Sequence, residues 1–247
     1  MVIEETETID LPTKTGPMRS YVFRPAATGQ YPGILLYSEI YQVTEPIRRI
    51  AAFLAGHGFV VLVPEVYHEL EPLGTVLNYD KPDTDRGNQH KITKTLASYD
   101  ADARASLNFL HSFAHCTGKL GVMGICLGGH LAFRAAMNHD VLAGICFYAT
   151  DLHTHSLGKG KQDDTLDRVG EIQGELLMGW GRQDPHIPRE GRAEIYNALT
   201  DHDVNFQWHE FNNAHAFLRD EGHRYDPATS QISYSMILEL FHRKLGN

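Results

Sequence analysis

Short apolar runs recur along the chain at Gly33–Tyr37, Phe59–Val63, Leu120–Ile125, Val141–Tyr148 and Glu175–Trp180. They are rich in Val, Ile and Leu, too short for helices, and apolar at consecutive positions, which is how strands buried on both faces read. Between them lie stretches whose apolar residues recur at helical spacing: Pro46–Gly56, Tyr99–Phe113, Gly129–Asn138 and Arg189–Leu199. Strand and helix therefore alternate, which predicts an α/β protein with a mostly parallel sheet covered on both faces. Ahead of this series, Val2–Asp10 and Met18–Arg24 flank a Pro/Lys/Gly turn and predict an antiparallel hairpin at the sheet edge. Phe206–Phe211 reads as a last strand and Ser230–Leu245 as a closing helix.

No repeat, low-complexity tract or Gly/Ser linker divides the pattern, so residues 1–247 are expected to form a single domain. Two connections are long: Pro64 to about Lys94, dense in Pro, Asp and Tyr, and Thr150 to Val169. Segments of this length inside a domain are commonly covers over a site or surface insertions.

Composition narrows the function. The 22 Lys and Arg against 31 Asp and Glu leave a net charge of −9, which offers no basic face to nucleic acid or an anionic membrane. A small molecule is the expected partner. Cys116, Cys126 and Cys146 are odd in number and contain no CxxC pair, against a disulfide framework or zinc ribbon. The first residues, MVIEETETIDLP, are acidic where a signal peptide is basic, so a cytoplasmic location is expected. No apolar run approaches the ~18 residues that cross a bilayer.

The densest chemical signal is Gly124-Ile-Cys126-Leu-Gly128-Gly129, set between an apolar strand and a helix. This is the pattern of a nucleophile elbow with Cys where Ser is usual. Outside such a frame a free cysteine is commonly a small buried hydrophobe, the reading given to Cys116 and Cys146. At Cys126 the helix N-terminus is expected to favour thiolate, and its N–H groups can hold an oxyanion.

Such a nucleophile needs a base and a group to orient the base, and in elbow hydrolases the order is nucleophile, acid, histidine. Asp184 follows the strand at Glu175–Trp180, and His215 follows the strand at Phe206–Phe211. Asp151, after another strand, competes with Asp184 for the acid role. Among 15 histidines, position selects His215. His209 alternates within a strand and His57 ends a helix, while His153 and His155 fall in the second long connection and read as surface residues. His111 and His115 share a metal-like i, i+4 spacing without a third ligand, so no metal and no cofactor is expected.

With Cys126, Asp184 and His215 in this order, the chain resembles the dienelactone hydrolase family of α/β hydrolases over nearly its whole length. The block Tyr37-Ser-Glu39-Ile40-Tyr-Gln-Val is similar to the family's Glu-Ile-(Phe/Tyr)-Gly block, with Gln42 in place of the usual Gly. The Cys elbow and the Gly-x-x-Asp184 and His215-x-Phe217 blocks complete the likeness. The resemblance implies an α/β-hydrolase fold, a monomer, a Glu39 that contacts the nucleophile and controls its ionisation, and an oxyanion hole from the N–H groups of Ile40 and Leu127. It also implies arginines that bind a substrate carboxylate, with Arg219 and Arg86 as candidates. The expected reaction is opening of an activated ester or enol lactone through an acyl-thioester. A general carboxylesterase or thioesterase on the same fold is the alternative, and a binding protein without turnover a more distant one.

Overall fold

The computed structural model describes residues 1–246, apart from the side chains of residues 5–7. Eight strands form one sheet in the order β1-β2-β4-β3-β5-β6-β7-β8. The hairpin strands β1 (Ile3–Thr13) and β2 (Gly16–Pro25) pair antiparallel, and β2 pairs antiparallel with β4 (Val60–Pro64). From β4 onward every pairing is parallel, through β3 (Tyr31–Tyr37), β5 (Cys116–Ile125), β6 (Val141–Phe147), β7 (Glu175–Gly181) and β8 (Phe206–Phe211).

The apolar runs become the central strands for a simple reason: helices cover both faces, so each position needs an apolar side chain. All residues of β4 and β7 are buried. At the edge, β8 is covered less completely and its sequence, FQWHEF, is correspondingly mixed.

The covering helices are α1 (Glu45–Gly56), α3 (Leu96–Ser112), α4 (Leu127–Ala135), α5 (Arg189–Asp201) and α6 (Pro227–Leu245). Between β4 and α3 lies α2 (Lys81–Lys91), inside the first long connection. No helix was expected there, because KPDTDRGNQHK carries no apolar stripe. Its start is nevertheless well specified: the Asp80 carboxylate accepts from the Asp83 N–H at 2.9 Å, with Pro82 in the first turn. The second long connection holds a 3-10 helix over Leu166–Glu171.

That second connection is fixed to α4 through buried charge. Arg134 reaches Asp164 at 2.6 Å, Asp163 at 3.4 Å and Asp100 of α3 at 2.6 Å. One turn earlier, His130 Nδ1 lies 2.8 Å from the Thr150 carbonyl and its Nε2 lies 3.0 Å from Asp163. These contacts hold the segment after β6 against the helix that begins at Cys126. Among the described residues no helix is long and apolar enough to cross a membrane.

Candidate active site

The loops leaving the C-terminal ends of β3, β5, β6, β7 and β8 converge on one cavity of about 220 Å³, roofed on one side by α2. Open parallel sheets build their sites at this edge, where strand ends diverge and loops are free to vary.

Cys126 stands at the turn from β5 into α4 with φ 58° and ψ −124°, a conformation that L-residues rarely hold. The flanking glycines make it possible. A Cβ on Gly124 would lie 1.9 Å from the Gly128 carbonyl oxygen, and one on Gly128 would lie 2.5 Å from that of Tyr37. The turn is locked by the Cys126 N–H, which donates to the Phe147 carbonyl at 3.1 Å, and by the Cys126 carbonyl, which accepts from Gly129 at 3.0 Å.

Burial and the neighbouring Glu39 charge push the Cys126 thiol up to about 12. The Leu127 N–H at the start of α4 and the Lys91 charge act in the opposite direction but do not prevail. The expectation that the helix N-terminus favours thiolate is thus outweighed: desolvation of the sulfur is the larger effect.

Across the cavity, His215 Nδ1–H donates to Asp184 Oδ2 at 2.6 Å, while Asp184 Oδ1 accepts from the His186 N–H at 2.8 Å. Asp184 is therefore fixed by two donors, and His215 Nε2 is left as the nitrogen available for proton transfer. The His215 ring packs edge-on against Tyr148 at 5.0 Å and His186 at 4.7 Å. Burial and the proximity of His215 hold His186 below the usual imidazole range. Asp151, the competing acid, instead takes both contacts from Lys91 Nζ at 2.9 Å.

Glu39, on the loop after β3, is buried in the cavity wall. Burial raises its carboxyl above the ordinary value, against the pull of the Arg219 charge and the Tyr79 hydroxyl. Arg219 Nη1 lies 3.7 Å from Glu39 Oε1, and Tyr79 donates to Oε2 at 3.2 Å. The Arg219 guanidinium also lies 4.2 Å over the Tyr79 ring. Ile40 lines the same cavity, beside Glu39.

Six of the sequence-derived candidates are brought together: Cys126, His215, Glu39, Ile40 and Arg219 line the cavity, and Leu127 follows Cys126. Asp184 stands directly behind His215. Arg86 is not brought there. It is half-exposed on α2 and pairs with Glu71 at 2.5 Å, where the same carboxylate also meets His90. Thr84, Asn88 and Lys91 share the face of α2 that lines the cavity, and Arg86 lies on another face of the same helix. Lys91, Arg224 and Tyr79 were not anticipated, since single polar residues in connecting segments carry no pattern. Among the described residues, no group of three or more His, Cys, Asp or Glu side chains is arranged to hold a metal. The three cysteines are free and buried.

Known proteins resemble the chain over nearly its whole length. The model of the dienelactone hydrolase family matches residues 18–245. A Saccharomyces cerevisiae protein named "putative carboxymethylenebutenolidase" is 42% identical over 254 residues, covering 97% of this chain and 92% of its own. The carboxymethylenebutenolidase of a Pseudomonas species is 24% identical, covering 96% and 95%. Among solved structures, a Klebsiella pneumoniae "putative dienelactone hydrolase" superposes with a TM-score of 0.83 at 21% identity, covering 98% of this chain and 99% of that one. That last likeness establishes the α/β-hydrolase fold.

Proposed function

The chain belongs to the dienelactone hydrolase family, and from that premise we propose that it hydrolyses an activated ester or enol lactone with Cys126 as nucleophile, His215 as base and Asp184 as the group that orients the base. The observation that carries this reading is the 2.6 Å Asp184–His215 contact in a cavity that His215 shares with the strained Cys126. The carboxymethylenebutenolidase names of its relatives favour a lactone as substrate.

The thiol is protonated at rest, so its proton passes to His215 Nε2 as Sγ bonds to the substrate carbonyl carbon. Asp184 stabilises the resulting imidazolium. The N–H groups of Ile40 and Leu127 are the donors suited to the oxyanion. Collapse of the tetrahedral adduct breaks the C–O bond, and the leaving enolate takes the proton from His215. Water, activated by His215, then attacks the acyl-thioester, releasing the acid and returning the thiol. Thiolate leaves more easily than alkoxide, so productive substrates carry an easily expelled oxygen, as enol lactones and aryl esters do. Arg219, beside Glu39, is suited to receive a substrate carboxylate.

The test follows loss of ultraviolet absorbance of a carboxylated dienelactone, beside an aryl acetate. Wild type is expected to open the lactone, Cys126→Ala to abolish turnover, and Arg219→Ala to raise KM chiefly for the lactone. Turnover of the aryl ester alone would select a general carboxylesterase using the same residues. Full activity in Cys126→Ala would overturn the nucleophile.

A further inference from the structure

The two edges of the sheet differ. At one, β1 is acidic in sequence, contains Pro12 and shifts register against β2 between Glu5 and Thr8, all of which discourage pairing with another chain. At the other, β8 has no Lys, no Pro and no register shift along its six residues. Only half of its backbone is used. The Leu176 N–H donates to the Asn205 carbonyl at 2.9 Å and the Arg182 N–H to the Phe211 carbonyl at 2.8 Å, so residues 205, 207, 209 and 211 turn their polar backbone groups toward β7. Phe206, Trp208 and Glu210 turn theirs outward, where no strand of the described chain meets them.

Helix α5 flanks this edge, and the groove between them is aromatic at its middle. Tyr196 lies 5.4 Å from Phe206 and 5.3 Å from Trp208, and Trp208 rests on the buried Trp180 at 5.1 Å. Tyr196 is 44% exposed, and Phe206 and Trp208 are only partly covered. The ends of the groove carry opposite charge. Arg182 and Arg189 line it where β8 ends, and Asp203 lines it where β8 begins. Among the described residues Arg189 and Asp203 make no ion pair, and Arg182 reaches Glu210 only at 3.8 Å.

We propose that β8 is the seat of a two-fold homodimer, in which it pairs antiparallel with β8 of a second copy about an axis through Trp208. The backbone pattern selects this register. Trp208 then faces itself and Phe206 faces Glu210, so every outward residue of one strand meets an outward residue of the other and each pair exchanges both backbone bonds. A slip of one residue would set outward groups against residues already bonded to β7. Moving the axis to Gln207 or His209 would leave an end residue opposite the loop beyond the strand. The same axis runs the second copy's α5 antiparallel on the same face of the sheet. It therefore brings the Arg182 and Arg189 end of each groove to the Asp203 end of the other, and joins the two aromatic middles. The opposite charges of one groove thus complement a second copy. This dimer replaces the monomer that the resemblance implies, and it is independent of the hydrolytic reading.

Sedimentation velocity of the full chain over the micromolar range is expected to show a species of two chains. Tyr196→Glu, which puts charge into the joined aromatic middle, and Arg189→Glu, which sets like charges together, are each expected to raise the dimer dissociation constant about tenfold or more, as loss of an interface anchor does. Ile232→Glu, at an exposed apolar position on α6, is expected to leave it unchanged. The register has its own readout. Gln207 and His209 of the second copy would face each other as a non-hydrogen-bonded pair with Cα atoms about 4.5 Å apart, within disulfide reach. The double variant Gln207→Cys/His209→Cys, once oxidised, is expected to run as two chains without reductant, and either single variant as one. The three native cysteines are buried and do not compete. Circular dichroism of each variant checks that loss of the dimer is not loss of the fold. A single chain at every concentration would overturn the proposal and leave the edge to an extended segment of a different protein. A dimer undiminished by Tyr196→Glu and Arg189→Glu, or one that the cysteine pair fails to link, would overturn the β8 interface.

Discussion

At the scale of single residues, the site favours Cys126 as a thiol. The Cys126 sulfur is desolvated and faces the Glu39 carboxylate, and both effects favour the neutral form over the N–H groups and the Lys91 charge that favour the anion. Because the thiolate is the reactive species, alkylation of Cys126 by iodoacetamide is expected to be slow at pH 7 and to quicken about tenfold per pH unit up to about pH 11. Glu39→Gln removes the like charge, so it is expected to lower the thiol pKa and speed alkylation at any fixed pH below that range. Mass spectrometry of the Cys126 peptide reads both effects, and an unchanged or slower rate in Glu39→Gln would refute the electrostatic account. Cys126, Asp184 and His215 were legible in the sequence because elbow glycines and chain order are local patterns. The convergence of Lys91, Asp151 and Arg224 on one cavity was not, because it arises only where separate segments meet.

At the scale of elements, the strands and most helices could be read from periodicity, since burial on two faces or on one stripe leaves a repeating mark. Helix α2 left none: its one buried residue is Gly87, which lies against the Ile40 backbone and whose carbonyl accepts from the Tyr67 hydroxyl at 3.0 Å, and its other anchors include the polar pairs of Arg86 and His90 with Glu71 and of Lys91 with Asp151. The segment after β6 was equally opaque, because its attachment to α4 is ionic. That attachment makes a prediction about stability. Arg134 is buried, and replacing it with Met leaves buried Asp163 with only His130 and Thr165, while Asp100 and Asp164 keep only the longer contacts to Arg168 at 3.8 and 3.9 Å. Removing one member of a buried charge cluster typically costs about 3–5 kcal/mol. Arg104→Met breaks the more exposed pair with Asp140 and is expected to cost about 0–1 kcal/mol. Urea unfolding checks the contrast: the midpoint falls far more for Arg134→Met, with similar slopes for both. Equal losses would mean that the α4 cluster does not fasten the segment.

At the scale of the whole molecule, the chain ends by closing on its own sheet. Helix α6 lies over β5, β6 and β7, with Phe241 and Leu245 packed so closely on Gly121 that a Cβ there would meet Phe241 at 2.8 Å. At the helix's last turn, Arg243 grips Glu175 of β7 at 2.8 and 2.9 Å, Lys244 approaches the same carboxylate at 3.4 Å, and Gln207 of β8 donates to it at 3.0 Å. One carboxylate thus joins the C-terminal helix to two neighbouring strands. The Arg243 hydrogen bonds, with help from Gln207 and Lys244, hold Glu175 at about 2, below its ordinary 4.5. The unfolded chain therefore binds the proton more readily, so stability from this group is complete above about pH 4.5 and declines as pH falls toward 2. Glu175→Gln, which keeps the shape and removes the titration, is expected to lower stability at pH 7 and to flatten its dependence between these limits. Chemical unfolding of both proteins from pH 7 down to pH 3 reads the two slopes. Parallel curves would mean that acid loosens the fold elsewhere, with the buried Asp163 and its Arg134 partner the next group to substitute.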